Sequence, residues 1–129
     1  MGLDQYAYKR ARKEYASKEE ADEALNLIVA WRKHNRLQGW MENLWIQRGN
    51  EEDLNCKLLQ LYLEDIKNLE EDIENRDLPE TQGFFFGNDS YNYKTEDGKY
   101  EDYEIDKKFI KEAKEALANN YDVFYNCWW

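Results

Sequence analysis

The nine residues YDVFYNCWW (121–129) are rich in aromatic residues, and Tyr121, Val123 and Tyr125 recur at every second position. This alternation predicts a β-strand at 121–128. We expect it to pair with one of two other segments of similar pattern, residues 3–8 or 57–61. Large apolar groups are rare at frayed chain ends. Trp128 and Trp129 are therefore expected either to close the core or to form an aromatic interface or ligand wall.

Three helices are predicted from apolar residues that recur every three or four positions. The first would extend over 18–48, with a kink or break at Gly39. The other two would cover 63–75 and 105–118. The switch between helical and strand periodicity predicts a single α+β domain over 1–129, in which these helices pack on a small sheet that includes both terminal strands.

Two segments between the predicted elements have distinctive sequences. In LPETQGFFFG (78–87), Pro79 is expected to end the preceding helix, and its three phenylalanines either pack inward or line a ligand or partner site. Those residues are Phe84, Phe85 and Phe86. In YNYKTEDGKYEDY (91–103), tyrosines alternate about an Asp97–Gly98 turn, which predicts a β-hairpin.

The composition is that of a folded, strongly acidic domain. The chain has 129 residues, 16% of them aromatic, which is unlike a disordered sequence. Its net charge of −10 is unevenly spread, because residues 1–48 hold nine Lys and Arg against seven Asp and Glu. The remainder is therefore acidic, and we expect no direct DNA binding. No run of apolar residues predicts a membrane span or a secretory signal, so an intracellular protein is expected.

Sequence signatures of catalysis are missing. Cys56 and Cys127 are isolated, and with His34 as the only histidine they do not make a zinc site of ordinary type. The chain has no phosphate-binding loop, dinucleotide-binding glycine motif, nucleophile elbow or zinc-protease helix. We therefore expect no enzymatic activity, no cofactor and no metal.

The segment AWRKHNRLQGW (30–40) is the strongest candidate for binding an anion. On a helix, Arg32, Asn35 and Arg36 would share one face, because residues three and four positions apart are neighbours. Guanidinium groups beside an aromatic ring suit phosphate and base recognition. The alternative is a solvated basic face that packs over acidic neighbours.

Four stretches of this chain resemble a family of small bacteriophage and prophage proteins. The family pattern has MGLD-x-Y at the start, a W-R-K-x-N segment, LP-x-T-x-GFFFG and a terminal aromatic run. This sequence has MGLDQY, AWRKHNRLQGW, LPETQGFFFG and VFYNCWW in the same order. The resemblance implies a phage setting and a host-cytoplasm location. Some members carry the label phosphoglycerate kinase, but this chain is a fraction of that enzyme's length and lacks a nucleotide-binding loop.

These expectations favour two functions. A third and less favoured hypothesis is an enzyme that acts on a nucleotide or sugar phosphate. The first is a counter-defence or host-takeover protein that sequesters a small anionic, nucleotide-like ligand. The second is an acidic mimic of nucleic acid that inhibits a host defence nuclease or DNA-binding protein. A homo-oligomer is also expected from the many aromatic residues. The expected ligand-binding residues are Trp31, Arg32, Lys33, His34, Asn35, Arg36, Phe84, Phe85, Phe86, Trp128 and Trp129.

Overall fold

The computed structural model describes residues 2–81, 89–92 and 95–129 and has an α+β fold, as predicted. Four helices accompany a four-stranded antiparallel sheet that contains both terminal strands. In chain order the elements are β1 (Asp4–Ala11), α1 (Lys18–Glu23), β2 (Asn26–Arg32), α2 (Asn35–Gln47), β3 (Leu58–Leu61), α3 (Leu63–Glu74), a 3-10 turn (Ser90–Asn92), α4 (Tyr103–Ala118) and β4 (Tyr121–Trp128).

The terminal strand β4 lies inside the sheet, whose strand order is β2-β1-β4-β3. It pairs with β1 over eight positions, from Asp4 opposite Trp128 to Ala11 opposite Tyr121. On its other side it pairs with β3, where Leu59 lies opposite Tyr125. Both expected partners of the 121–128 strand therefore pair with it, β1 on one side and β3 on the other.

The prediction of one helix over 18–48 is wrong. The helix α1 ends at Glu23, and β2 follows as an edge strand paired with β1. Within β2, buried Val29 and Trp31 alternate with exposed Ala30 and Arg32. The β-branched pair Ile28–Val29 favours this extended conformation. The prediction of a helix here was based on the helical spacing of Leu25, Ile28 and Trp31.

The break predicted as one possibility at Gly39 is also wrong, because this residue lies within α2, which continues on both sides of it. Its role is steric. A Cβ atom at Gly39 would lie 1.8 Å from Thr81 Oγ1 and 2.9 Å from Thr81 Cβ. Only glycine therefore allows the segment after Pro79 to cross the helix this closely.

The helices cover one face of the sheet. The helix α4 packs against β1, β2 and β4, and α3 packs against α4. Side chains that point inward from the strands, such as Ala7, Leu59 and Val123, join apolar residues of all three long helices in one core. The opposite face, called here the open face, carries the alternate strand residues. The short α1 segment covers one end of it, where Arg10 donates to Ala21 O and stacks on Phe124.

The predicted tyrosine hairpin is described at its turn and in the adjoining pairing, where Thr95 N donates to Lys99 O at 2.8 Å and Tyr100 forms a β-bridge. Gly98 has φ +82° and donates to Thr95 O, which makes the expected reversal of direction. However, Tyr91 lies in the 3-10 turn and Tyr103 begins α4. The rings of Tyr91 and Tyr100 instead pack together, with centroids 4.9 Å apart. Residues 93–94 and the three phenylalanines Phe84, Phe85 and Phe86 lie outside the described residues.

Within the described part of the chain, no helix has both the length and the apolar character needed to cross a bilayer.

Candidate functional site

The residues from Trp31 to Arg36 do not form one helix face. Trp31 and Arg32 end β2, Lys33 adopts a left-handed conformation with φ +56°, and α2 begins at Asn35. The expected convergence of Arg32, Asn35 and Arg36 on a helix is therefore wrong. The chain turns a corner at Lys33, so Arg32 belongs to the sheet and the later residues belong to the helix.

His34 is fully buried in a polar cluster at the start of α2. Its Nε2 lies 2.9 Å from Asp106 Oδ2, and its Nδ1 lies 3.0 Å from Ser90 Oγ. Ser90 Oγ also donates to Asn35 Oδ1 at 3.0 Å, and the same amide oxygen accepts from Ser90 N. The cluster therefore ties the α2 N-terminus to the 3-10 turn and to α4.

Asp106 is the acceptor at the centre of this cluster. Besides His34, Trp31 Nε1 donates to Oδ1 at 2.8 Å, and the Tyr100 hydroxyl donates to Oδ2 at 2.5 Å. Burial and the nearby Asp106 carboxylate strongly raise the pKa of Tyr100. Three donors satisfy the buried carboxylate, which would otherwise be costly to desolvate.

The order Ser90–His34–Asp106 has the connectivity of a nucleophile, a base and an orienting acid. All three residues are at most 1% exposed, and Ser90 Oγ is already engaged by Asn35. A substrate has no access to this hydroxyl in the structure. The arrangement therefore accounts for these polar residues in the core. Sequence spacing did not reveal it, because Asp106 and Ser90 are distant from His34 along the chain.

Arg36 is held by the segments on both sides of residues 79–88. It forms an ion pair with Asp89 and donates to Leu78 O at 2.9 Å. Its guanidinium also lies over the Tyr91 ring, 4.1 Å from the centroid. The hydrogen bond from Arg36 lowers the pKa of Asp89, and the same bond raises the pKa of Arg36. This guanidinium is committed to an internal carboxylate and is a poor candidate for an external phosphate.

A second buried polar chain involves Gln5, which the sequence analysis did not single out. Its amide bonds to both the backbone N and the backbone O of His34, and its Nε2 also donates to the Tyr125 hydroxyl. Tyr125 in turn donates to Gln38 Oε1. The sign of this role in the sequence is that Gln5 is a polar residue at a position of β1 that faces the core. These contacts fix the α2 N-terminus against the middle of the sheet.

The predicted site residues that come together at the surface are Arg32 and Trp128. Both lie directly opposite Asp4, on its two neighbouring strands, so the three residues form one row across the open face. Opposite residues on adjacent strands are about 5 Å apart, which places Arg32 and Trp128 roughly 10 Å from each other. In the next row of the open face, Tyr6 lies opposite Ala30 and Asn126.

This row is accessible and weakly paired. The Trp128 residue is 60% exposed, and the Arg32 side chain is 74% exposed. Arg32 Nε lies 3.8 Å from Asp4 Oδ1, a distance typical of a surface ion pair that contributes little. Its guanidinium can therefore exchange this partner for a ligand.

The two terminal tryptophans have different environments. Trp129 is half-buried, packs against the core, and its backbone N donates to Asn55 Oδ1 at 3.0 Å. Trp128 points to the open face. Trp129 thus helps to close the core, whereas Trp128 is exposed, and its expected part in an interface or ligand wall stays a prediction.

Comparison with protein-family models, curated proteins and solved structures gives no match for this chain. Among residues 2–81, 89–92 and 95–129, no group of three or more His, Cys, Asp and Glu side chains is placed to hold a metal ion.

Proposed function

We propose that this protein is a non-enzymatic binding protein that sequesters a small anionic, nucleotide-like ligand on the open face of its sheet. One observation carries the proposal: Arg32 and Trp128 flank Asp4 on exposed strand positions, with Tyr6 in the adjacent row. The ligand class is the one expected from the sequence. The proposed site lies on the sheet and takes only Arg32 from the 30–40 segment, which was expected to form a helix.

The chemistry of these three side chains fits a nucleotide. Stacking of a base on an aromatic ring contributes about 1–3 kcal/mol. A guanidinium offers a planar array of donors to the acceptor atoms of a base or of a phosphate. Because the side chains project from hydrogen-bonded strands, their backbone positions are fixed before a ligand arrives, which reduces the entropic cost of binding.

The biological role that we propose is counter-defence or host takeover in the host cytoplasm. The resemblance to small phage and prophage proteins supports this setting. A binding protein that removes a nucleotide signal from solution needs no catalytic group. The burial of Ser90, His34 and Asp106 agrees with that view.

The experiment has two parts. Mass spectrometry of small molecules released from the purified protein would identify a co-purifying ligand, and titration followed by tryptophan fluorescence would measure affinity. Trp128→Ala and Arg32→Ala should each weaken binding by about tenfold or more. Lys111→Ala is the matched control, because Lys111 is an exposed cation on α4, which packs on the opposite face. Equal affinities in all variants would refute the proposal.

A second candidate is an acidic mimic that inhibits a host nuclease or DNA-binding protein. The observation in its favour is a cleft of about 480 Å³ between α2 and α3, whose lining includes Asp65, Glu71, Asp72 and Asp77. Replacing Glu71 and Asp77 by amides would weaken such an inhibitor and leave nucleotide binding unchanged. Self-association stays a prediction, to be tested by light scattering over a range of concentrations.

A further inference from the structure

We infer that a cavity at the α1 end of the open face receives the phosphate of the same ligand, whose base then lies towards Trp128. The ligand class is thereby narrowed to a nucleoside phosphate. This inference rests on the proposed function, but it concerns a different set of residues and can fail separately.

The cavity has a volume of about 370 Å³. Its floor includes open-face residues of three strands, Tyr8, Asn126 and Leu58, and its walls include Lys18 and Asp22 of α1 and Lys57 before β3. Small-molecule sites in proteins commonly have volumes of about 300–1,000 Å³. The space is therefore sufficient for a phosphate together with part of a sugar.

The charge of the cavity is opposite to that of the chain. Two ammonium groups, Lys18 and Lys57, face one carboxylate, Asp22, whereas the whole chain has a net charge of −10. Both lysines are exposed, and within the described residues neither forms an ion pair. Two free cations at the rim of a concave surface are suited to a phosphate dianion.

The cavity is continuous with the aromatic row. Asn126 lies opposite both Tyr6 and Leu58, so it belongs to the platform and to the cavity floor. The rings of Tyr6 and Tyr8 are stacked, with centroids 6.2 Å apart.

Successive open-face rows are separated by about 6.6 Å, because each strand residue advances about 3.3 Å. A base beside Tyr6 and Trp128 would thus place its phosphate near the lysines, with a single sugar between them. Burial and the neighbouring Tyr6 raise the pKa of the Tyr8 phenol, so its hydroxyl stays a hydrogen-bond donor at neutral pH.

The test compares the four nucleoside 5′-monophosphates with the four corresponding nucleosides by calorimetric titration. For a monophosphate that binds, Lys18→Ala and Lys57→Ala should each lower affinity by about tenfold, and the double variant by more. The affinity for the matching nucleoside should not change. Trp128→Ala should weaken both compounds, and Lys111→Ala should weaken neither. Circular dichroism checks that each variant folds, which is expected because all four side chains are exposed.

Two results would overturn the inference, and they differ in what they imply for the proposed function. If monophosphates lose affinity in Arg32→Ala but not in the lysine variants, the phosphate binds at Arg32 and only the cavity assignment fails. If no monophosphate or nucleoside binds the unmodified protein, the proposed function fails together with the inference.

Discussion

Arg36 and Asp89 form a two-point ion pair, with Nε 2.6 Å from Oδ1 and Nη2 2.7 Å from Oδ2. Because Arg36 also donates to Leu78 O, one side chain of α2 links the residue before Pro79 with the residue at which the described chain resumes. A cation that the sequence analysis assigned to a ligand is thus used inside the fold. This pairing leads to the first two predictions.

Arg36→Ala should lower the free energy of unfolding by about 1.5–3 kcal/mol, because it removes charge-assisted hydrogen bonds to a partly buried carboxylate. Arg32→Ala is the matched control and should change stability by less than about 0.5 kcal/mol, since Arg32 is highly exposed. Urea denaturation monitored by circular dichroism measures both. Similar losses in the two variants would show that the Arg36 contacts contribute nothing specific.

The same pair should make stability depend on pH in the acid range. Arg36 lowers the pKa of Asp89 in the folded state, so the unfolded state binds a proton first as the pH falls. The contribution of Asp89 is therefore complete above its unfolded pKa of about 3.9 and is lost as the pH falls through the lower folded value. The stability difference between the unmodified protein and Asp89→Asn should be constant above about pH 5 and shrink below about pH 4. A difference that does not shrink on acidification would contradict this assignment.

Tyr100→Phe should cost about 1–3 kcal/mol, because it removes a buried donor to Asp106 and leaves part of that carboxylate unsatisfied. The control is Tyr103→Phe. Its hydroxyl contacts Glu74 at an exposed position, 3.3 Å from Oε1, and its loss should be nearly neutral. Denaturation curves of both variants decide the matter, and a neutral Tyr100→Phe would mean that Asp106 does not depend on this donor.

Gly39→Ala should destabilise the protein, although alanine is normally favoured over glycine inside a helix by roughly 1 kcal/mol. The added methyl group would collide with Thr81, and relieving the overlap should cost about 1–3 kcal/mol. Adding Thr81→Gly should restore part of the loss, because the contacting atoms belong to the Thr81 side chain. Thermal unfolding of the two single variants and the double variant measures the coupling between positions 39 and 81. Zero coupling would mean that Gly39 does not serve to accommodate Thr81.

The two cysteines should differ sharply in reactivity. Cys56 is exposed, whereas Cys127 is buried and burial raises the pKa of its thiol to about 12. Because the thiolate is the reactive form, iodoacetamide should label Cys56 in the folded protein and Cys127 only after unfolding. Peptide mass spectrometry locates the label, and fast modification of Cys127 under native conditions would mean that the β4 end opens readily.

The elements that were predicted well are those in which apolar residues recur at a single spacing and a residue typical of helix or strand ends marks the boundary. The helix α3 was expected at 63–75 and runs over Leu63–Glu74, and the strand expected at 121–128 is β4. The failure at β2 has a physical cause. The segment Leu25–Trp31 satisfies both periods, and only its pairing with β1, which is a tertiary interaction, selects the extended form.

The candidate site was less predictable than the fold. Arg32 and Trp128 were both among the residues expected to bind, and this stays a prediction, but their meeting across Asp4 depends on strand register, which spacing along the chain does not show. His34 and Arg36 were expected to bind a ligand. In the structure they pair with Asp106 and Asp89, which are far from them in sequence. Spacing along a chain shows which residues share a helix face. It cannot show which polar residue from another element will neutralise one of them.

The central position of β4 has a consequence for the order of folding. The longest ladder in the sheet joins β1 to β4, the two strands farthest apart in sequence. Closing so large a loop costs entropy before any contact compensates it, and folds dominated by distant pairings assemble slowly. The helices can form early, and β2 can pair with β1 alone as β3 can pair with β4 alone, but only the β1–β4 ladder joins these two pairs into one sheet. The rate-limiting event should therefore be the pairing of β1 with β4.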